Sequence, residues 1–259
     1  MVIAVPADLG DLTSVFHAVE QVRHHTQTIN IYYANAGVSR SKTPLSQDGL
    51  EGVFAINHVG NYALLTRLLP ILLRTAAGEP DVRVVITSST LAYWAKPLDF
   101  TSFNLPFDKR NGTLVDLYSR SKLCNLLFGM QLAKHVRDRG ANGIHVNVGE
   151  PGIVFATGVH LQMESVWRWW VRVINFVLEY TIALTVEEGA LNLLFLGTSP
   201  KIKEEDINGQ FYRPFGDRIP VEKFPKIASM SVAEKLWDWT EGFVSTREIE
   251  IEGSNIMSI

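Results

Sequence analysis

The sequence predicts an α/β fold built on a doubly wound, parallel sheet, and three observations predict it. Short β-branched runs alternate with stretches of ten or more residues that carry helical apolar periodicity, the pattern of successive βαβ units. Polar or turn-forming residues stand just past those runs: Asp8, Asn35, Ser89 and Pro151-Gly152. Ligands of parallel sheets bind outside the carboxyl ends of the strands, so that shared placement marks a site.

In chain order, residues 2–5 (VIAV) read as a first strand, followed by Asp8. Leu12, Val15, Phe16, Val19 and Val22 then mark one face of a helix. Residues 29–34 form the second strand, ending at Asn35-Ala36-Gly37. A long helix over 50–74 puts Val53, Phe54, Asn57, Gly60, Asn61, Leu64 and Leu68 on one face. The third strand, 84–87, stops at two hydroxyls, Ser88 and Ser89. After a loop rich in Pro, Asp, Asn and Gly comes a helix to about residue 137 that carries Tyr118 and Lys122. Residues 144–148 make a fourth strand, closed by Pro151-Gly152. A tryptophan-rich helix (Trp167, Trp169, Trp170), a helix over 185–196, a short strand at 210–213 and a helix over 232–244 complete the chain. No repeat, low-complexity tract or linker divides it.

Composition excludes several function classes. With 24 Lys and Arg against 27 Asp and Glu, there is no basic excess to attract nucleic acid. Cys124 is the one cysteine, so no disulfide framework and no thiolate metal site forms, and a reducing, cytoplasmic setting is expected. The seven histidines show no metal spacing. The opening MVIAVPADLGD lacks a signal-peptide pattern. The most apolar stretch, 166–184, holds Arg168, Arg172 and Glu179, too costly at a bilayer centre. Its tryptophans suit an apolar pocket, and equally suit core packing or a membrane surface.

Tyr118 and Lys122 lie four residues apart and so share a helix face. A phenol normally ionises near pH 10, and a neighbouring ammonium is expected to lower that value toward the working range of a proton-transfer group. A hydroxyl at a strand end, Ser89 or its competitor Ser88, would steady the charge that develops on a substrate oxygen. Each has a plainer reading. The Tyr/Lys pair also fits the flanks of an ordinary helix turn, and a strand-end serine often satisfies backbone groups. Asn57, on an apolar face, needs a partner for its amide. Asp8 also fits a turn or helix cap.

Asn35-Ala36-Gly37, Asn57 within FAINHVG, Ser89, Tyr118-x-x-x-Lys122 and Pro151-Gly152 occur in the order and at the strand or helix ends that resemble the short-chain dehydrogenase/reductase family. The resemblance runs from residue 2 to about 244. The loop over 98–114, YSRSKLCNLLF and the late NGQFYRPFG and KLWDWTE are similar to its retinol-dehydrogenase-like and fungal biosynthetic reductase members. It implies a single Rossmann-like domain over 1–259 with a substrate-covering segment at 160–184. Ser89, Tyr118, Lys122 and Asn57 become the catalytic set, with Asn57 in a water-mediated proton relay to Lys122. Asp8 contacts the adenine, Asn35 the adenosine ribose, Tyr118 and Lys122 the nicotinamide ribose side, and Val154 and Thr157 the carboxamide and phosphates. NADP is the implied cofactor, with NAD as alternative. The implied reaction interconverts a ketone or aldehyde with an alcohol on a small apolar substrate, of the secondary-metabolite or lipid/retinoid kind. Homodimers or homotetramers through the helices of Asn57 and Tyr118 are also implied.

One departure is informative: none of the 19 glycines forms the family's TGxxxGxG turn, which holds the pyrophosphate on backbone amides and a helix N-terminus. The fold is therefore expected to be N-terminally incomplete, starting at the family's third strand. Two other functions stay open on these grounds: a non-catalytic relative that binds a partner through an exposed sheet edge, and an epimerase or dehydratase on the same fold.

Overall fold

The computed structural model describes residues 1–106, 113–152, 184–220, 223 and 227–257. The predicted Val154, Thr157 and substrate-covering residues 160–183 lie outside these. Helix α1 (Leu12–His25) starts on Asp11, whose side chain accepts from the Thr13 N–H. Strand β1 (Ile31–Ala34) follows, then a compound helix of three pieces: α2 (Gly52–Phe54), a π-helical segment (Ala55–Gly60) and α3 (Asn61–Gly78). Next come β2 (Val82–Thr87), a 3₁₀ turn (Thr90–Trp94), α4 (Leu114–Asp138) and β3 (Ile144–Gly149). The rest comprises α5 (Val186–Thr198), α6 (Pro200–Glu204), β4 (Phe211–Arg213), β5 (Asp217–Ile219) and α7 (Met230–Met257).

The strands form one sheet in the order β1-β2-β3-β4-β5, parallel except for the final β4–β5 pair. Every residue of β2 and β3 is buried, as central parallel strands require. Alternation along β2 feeds two layers. Val82, Val84 and Ile86 join the larger core with α3 and α4, while Val85 packs with Leu196, Ile202 and Tyr212 on the α5 side. Helices on both faces of a mostly parallel sheet are the predicted α/β architecture.

Three predictions of local structure are corrected. Residues 2–5 form no strand: Val2 and Ile3 are exposed, and no strand runs beside them among the described residues. An apolar run becomes a strand only when its backbone groups find a ladder. The 50–74 helix is interrupted by the π segment that contains Asn57; π segments widen the helix locally and often mark functional positions. The last helix continues well past residue 244, to Met257. It is pinned across α3 by Arg67, which pairs with Glu241 at 3.0 Å and Glu248 at 2.9 Å, and by Trp237, whose ring centroid lies 5.1 Å from that of Tyr62.

Gly60 fixes how closely the N-terminal segment approaches this helix. A Cβ there would stand 2.2 Å from the Leu9 carbonyl oxygen. Gly60→Ala, although favoured by helix propensity, is expected to destabilise the protein by about 1–3 kcal/mol, because backbone must move. Thermal denaturation reads this as a lowered Tm; an unchanged Tm would show that residues 8–10 are not seated on the helix.

Candidate active site

The site is built where β2 and β3 end together. Beyond the last paired residues, the Ser88 N–H donates to the Gly149 carbonyl at 2.9 Å, which carries the alignment one residue past β2. Ser88 and Ser89 then diverge. Ser88 is buried and its hydroxyl donates to the Lys122 carbonyl at 2.7 Å, so it ties the strand to α4. Ser89 is half-buried, and its Oγ caps the 3₁₀ turn by accepting from the Leu91 N–H at 3.2 Å. Of the two hydroxyls, only that of Ser89 is clear of the helix–strand seam.

α4 begins in a capping box: the Thr113 hydroxyl accepts from the Asp116 N–H, and the Asp116 carboxylate accepts from the Thr113 N–H. One turn on, Tyr118 and Lys122 occupy one face, with Lys122 Nζ 5.6 Å from the centre of the Tyr118 ring. Lys122 is 3% exposed, and its Nζ donates to the Thr87 carbonyl at 3.2 Å. The same carbonyl accepts from Asn125 Nδ2 at 3.1 Å.

Asn57 is fully buried in the π segment and clasps the turn after β1. Its Oδ1 accepts from the Val38 N–H at 2.7 Å and its Nδ2 donates to the Val38 carbonyl at 2.8 Å. Nδ2 also donates to Ser121 Oγ at 2.9 Å, which joins this turn to α4. Asn61 adds a bond from Nδ2 to the Ala36 carbonyl at 3.2 Å. Gly37 shows how tightly these parts converge: a Cβ there would lie 3.1 Å from Asn57 Oδ1 and 3.5 Å from Lys122 Nζ. Asn35 is exposed beside them, with its Oδ1 accepting from Thr87 Oγ1 at 3.0 Å. Asn35, Asn57, Ser89, Tyr118 and Lys122 therefore gather at one end of the sheet.

Asp8 is exposed, and its Oδ1 accepts from the Gly10 N–H at 2.8 Å, the turn role that its sequence context allowed. Gly152 has φ +80°, and a Cβ there would meet Pro214 at 2.7 Å, so the Pro151-Gly152 turn needs its glycine on two counts.

The electrostatics of the pair differ from expectation. Burial and the Glu150 carboxylate push the Tyr118 phenol up to about 12. Burial pulls Lys122 down to about 8. The predicted lowering of Tyr118 by Lys122 is thus overturned: helix spacing sets proximity, but the ammonium is itself desolvated and a buried carboxylate favours the neutral phenol. Glu150, Ser121 and the Thr87 carbonyl are the site groups that sequence reasoning missed. Only Glu150 left a signal, as a charge standing between an apolar strand and Pro151-Gly152.

A cavity of about 340 Å³ opens beside α4, lined in part by Lys96, Asp99, Asp116, Leu117 and Arg120. Those helix positions face well away from Tyr118 and Lys122, so it is separate from the site. No group of His, Cys, Asp or Glu side chains among the described residues converges to hold a metal ion, and none of the described helices is long and apolar enough to cross a membrane.

Residues 1–98 match the family described as short chain dehydrogenase. The chain is 33% identical to human retinol dehydrogenase 14 over 238 residues, covering 92% of this chain and 65% of that protein. It is 28% identical over 243 residues to a short-chain dehydrogenase/reductase of Armillaria gallica, covering 92% and 72%. The chain spans just under two thirds of the length of the retinol dehydrogenase 14 relatives. Among solved structures, an uncharacterised protein from Mycobacterium paratuberculosis superposes with a TM-score of 0.63 at 23% identity, covering 92% of this chain and 74% of that one. The NADPH-bound carbonyl reductase from chicken fatty liver gives 0.55 at 20% identity, covering 84% and 76%. At these identities the structures show the fold, a Rossmann-like one.

Lys122 carries a stability cost that can be measured. Its folded value of about 8 lies below the free lysine value of 10.5, so the unfolded chain holds the proton more tightly. The penalty on the native state is full below about pH 8 and fades as the pH rises toward 10.5. Lys122→Met should therefore stabilise the fold by on the order of 1–3 kcal/mol at pH 7, an advantage that shrinks through that window. Chemical denaturation at pH 7 and pH 10 checks it; destabilisation at pH 7 would show the ammonium to be well partnered.

Proposed function

Because the chain belongs to the short-chain dehydrogenase/reductase family, we propose that it is an NADP(H)-dependent oxidoreductase that interconverts a ketone or aldehyde with an alcohol on a small apolar molecule. The observation that carries this reading is the gathering of Ser89, Tyr118, Lys122 and Asn57 from three different elements at the carboxyl end of the sheet.

The residues present suit a nicotinamide dinucleotide. Lys122 has three ammonium donors and spends one on the Thr87 carbonyl, which leaves donors for ribose hydroxyls beside Gly37. Asn35 stands exposed on the same side. The cofactor, when bound, exchanges a hydride with the substrate carbon. In reduction, the Ser89 hydroxyl donates to the carbonyl oxygen and steadies its growing charge. Tyr118 gives its phenolic proton to that oxygen, and Lys122 returns a proton to the tyrosinate. Asn57 holds the Ala36–Val38 turn against α4, and a water between its Oδ1 and Lys122 would complete a relay to solvent. Val154 and Thr157 are proposed to hold the carboxamide and phosphates, Asp8 the adenine, and residues 160–184 to cover the substrate. The preference for NADP draws support from the NADPH-bound carbonyl reductase of similar fold. The name of the human relative, a retinol dehydrogenase, supports an apolar, retinoid-like substrate; a lipid or secondary-metabolite substrate and a cytoplasmic setting are part of the same proposal.

A homodimer or homotetramer, implied by the family resemblance, is part of this proposal, and sedimentation tests it: a dimer or tetramer supports it, and a monomer, with α7 packed across α4 and α3 within one chain, would overturn it.

A second reading, partner binding without catalysis, is favoured by the edge of β1, which pairs with no further strand among the described residues and where Ile31 and Tyr33 are 40% and 38% exposed. Titration with NADPH followed by fluorescence separates the two. Micromolar binding, with turnover of all-trans-retinal or decanal that falls about 10²–10⁴-fold in a folded Tyr118→Phe variant, supports the enzyme. Absence of NADPH binding would move the assignment to the edge of β1, and turnover retained by Tyr118→Phe would remove that residue from its role.

A further inference from the structure

Glu150 is a carboxylate where the fold has little reason to bury one. It directly follows β3, is 2% exposed, and is fixed by its backbone on both sides. Its N–H donates to the Tyr212 carbonyl at 3.0 Å, and its own carbonyl accepts from Asn192 Nδ2 at 2.8 Å. The side chain reaches the neighbouring strand end, where Thr90 Oγ1 donates to Oε2 at 2.5 Å. Thr90 is the residue after Ser89, and the Ser89 hydroxyl caps the same turn through Leu91. The carboxylate thus fastens the turn that presents Ser89, and its charge acts on both Tyr93 in that turn and Tyr118 on α4.

We propose that Glu150 is a positioning residue of this site: through Thr90 it locks the turn that begins at Ser89 to the end of β3, and its carboxylate disfavours a second negative charge on Tyr118, so that the resting site holds the proton a carbonyl must receive. The inference rests on the oxidoreductase reading above. Among the described residues, the groups that bear on Tyr118 are Lys122 from its own helix and Glu150 from the end of β3. Arg213 of β4 acts in turn on Glu150 and Tyr93, and Asp217 of β5 acts on Tyr93 and Arg213. Burial raises Glu150 and the Thr90 and Arg213 contacts oppose that rise. In reduction the carbonyl carbon gains a hydride, its oxygen takes the Tyr118 proton, and the negative charge left on the phenolate faces Glu150 until Lys122 restores the proton. In oxidation the phenolate must form first, against that same charge, so this direction requires a higher pH.

Two variants separate the functions. Glu150→Gln keeps an acceptor for Thr90 and removes the charge; Thr90→Val removes the bond and keeps the charge. Tyrosine labelled with ¹³C at Cζ, with the Tyr118 signal assigned by its loss in Tyr118→Phe, reports ionisation without substrate or cofactor. The Tyr118 midpoint should fall by about one pH unit in Glu150→Gln and stay in place in Thr90→Val. Thr90→Val should lower kcat for the probe aldehyde about tenfold, with NADPH binding unchanged. Glu150→Met serves if the glutamine variant does not fold. An unmoved midpoint in the folded variant, or a native midpoint at or below that of free tyrosine, overturns the charge role. An unchanged kcat in Thr90→Val overturns the locking role. Absence of turnover in the native protein counts against the oxidoreductase reading and leaves the tyrosine titration to decide on Glu150.

Discussion

The backbone bond from the Ser88 N–H to the Gly149 carbonyl is the constraint on which the site depends. It extends the β2–β3 ladder one residue past the end of β2 and brings the ends of two buried strands level. Glu150 is thereby placed level with Ser88, one residue before Ser89, and its side chain reaches Thr90 just beyond. α4 then packs across this seam and is locked by the Ser88 hydroxyl, which donates to the Lys122 carbonyl. A slip of one residue would turn every side chain of β2 to the opposite face, and Val82, Val84 and Ile86 would lose the α3–α4 core. Core packing and site geometry thus protect the same register.

That register holds two ionisable groups whose charged forms are desolvated by burial. Lys122 lies almost wholly buried with a single carbonyl bonded to its ammonium, and Glu150 is buried against a hydroxyl. Neither stabilises the fold in the way a well-paired ion would. Local rules broken at one place, without structural gain, are what a functional site is expected to show. Arg120 makes the contrast. It is packed over the Phe54 and Phe103 rings, paired with Glu51 at 3.0 Å and bonded to Ser102 Oγ at 3.3 Å, a charge held by a carboxylate and therefore structural.

Periodicity carried the fold because it reports burial directly. The β-branched run of β2 and the apolar stripe of α1 are local facts that the structure reuses. Residues 2–5 show the limit of such reading. VIAV has a strand's composition, but a strand is a relation to a neighbour, and none lies beside it among the described residues. The site divides in the same way. The convergence of Asn35, Asn57, Ser89, Tyr118 and Lys122 was legible because each sits at a strand end or on a helix face that topology brings to one edge. Of the two serines, Ser88 gives its hydroxyl to the Lys122 carbonyl and Ser89 caps the following turn, a difference that adjacent positions in the sequence do not reveal. The ionisation of Tyr118 was not legible, since it is set first by burial and then by Glu150, a residue 32 positions away that reaches this end of the sheet only once β3 lies beside β2.

What sets the precision of this arrangement is that its parts are cross-bonded rather than merely adjacent. Asn57 joins the turn after β1 to α4 through Ser121, Ser88 joins β2 to α4, and Thr90 joins the 3₁₀ turn to β3 through Glu150. Each tie pairs a side chain with a group on another element, and together they triangulate the position of the Tyr118–Lys122 face. Such a frame resists the small displacements that proton transfer does not tolerate. It also explains why polar residues are spent inside an otherwise apolar core: Asn57, Ser88 and Ser121 are each at most 1% exposed, and the bonds they make lead into the site. The buried hydrogen bonds of this domain are therefore distributed by the needs of the sheet's carboxyl edge, and the apolar core supplies the stability that lets them be placed there.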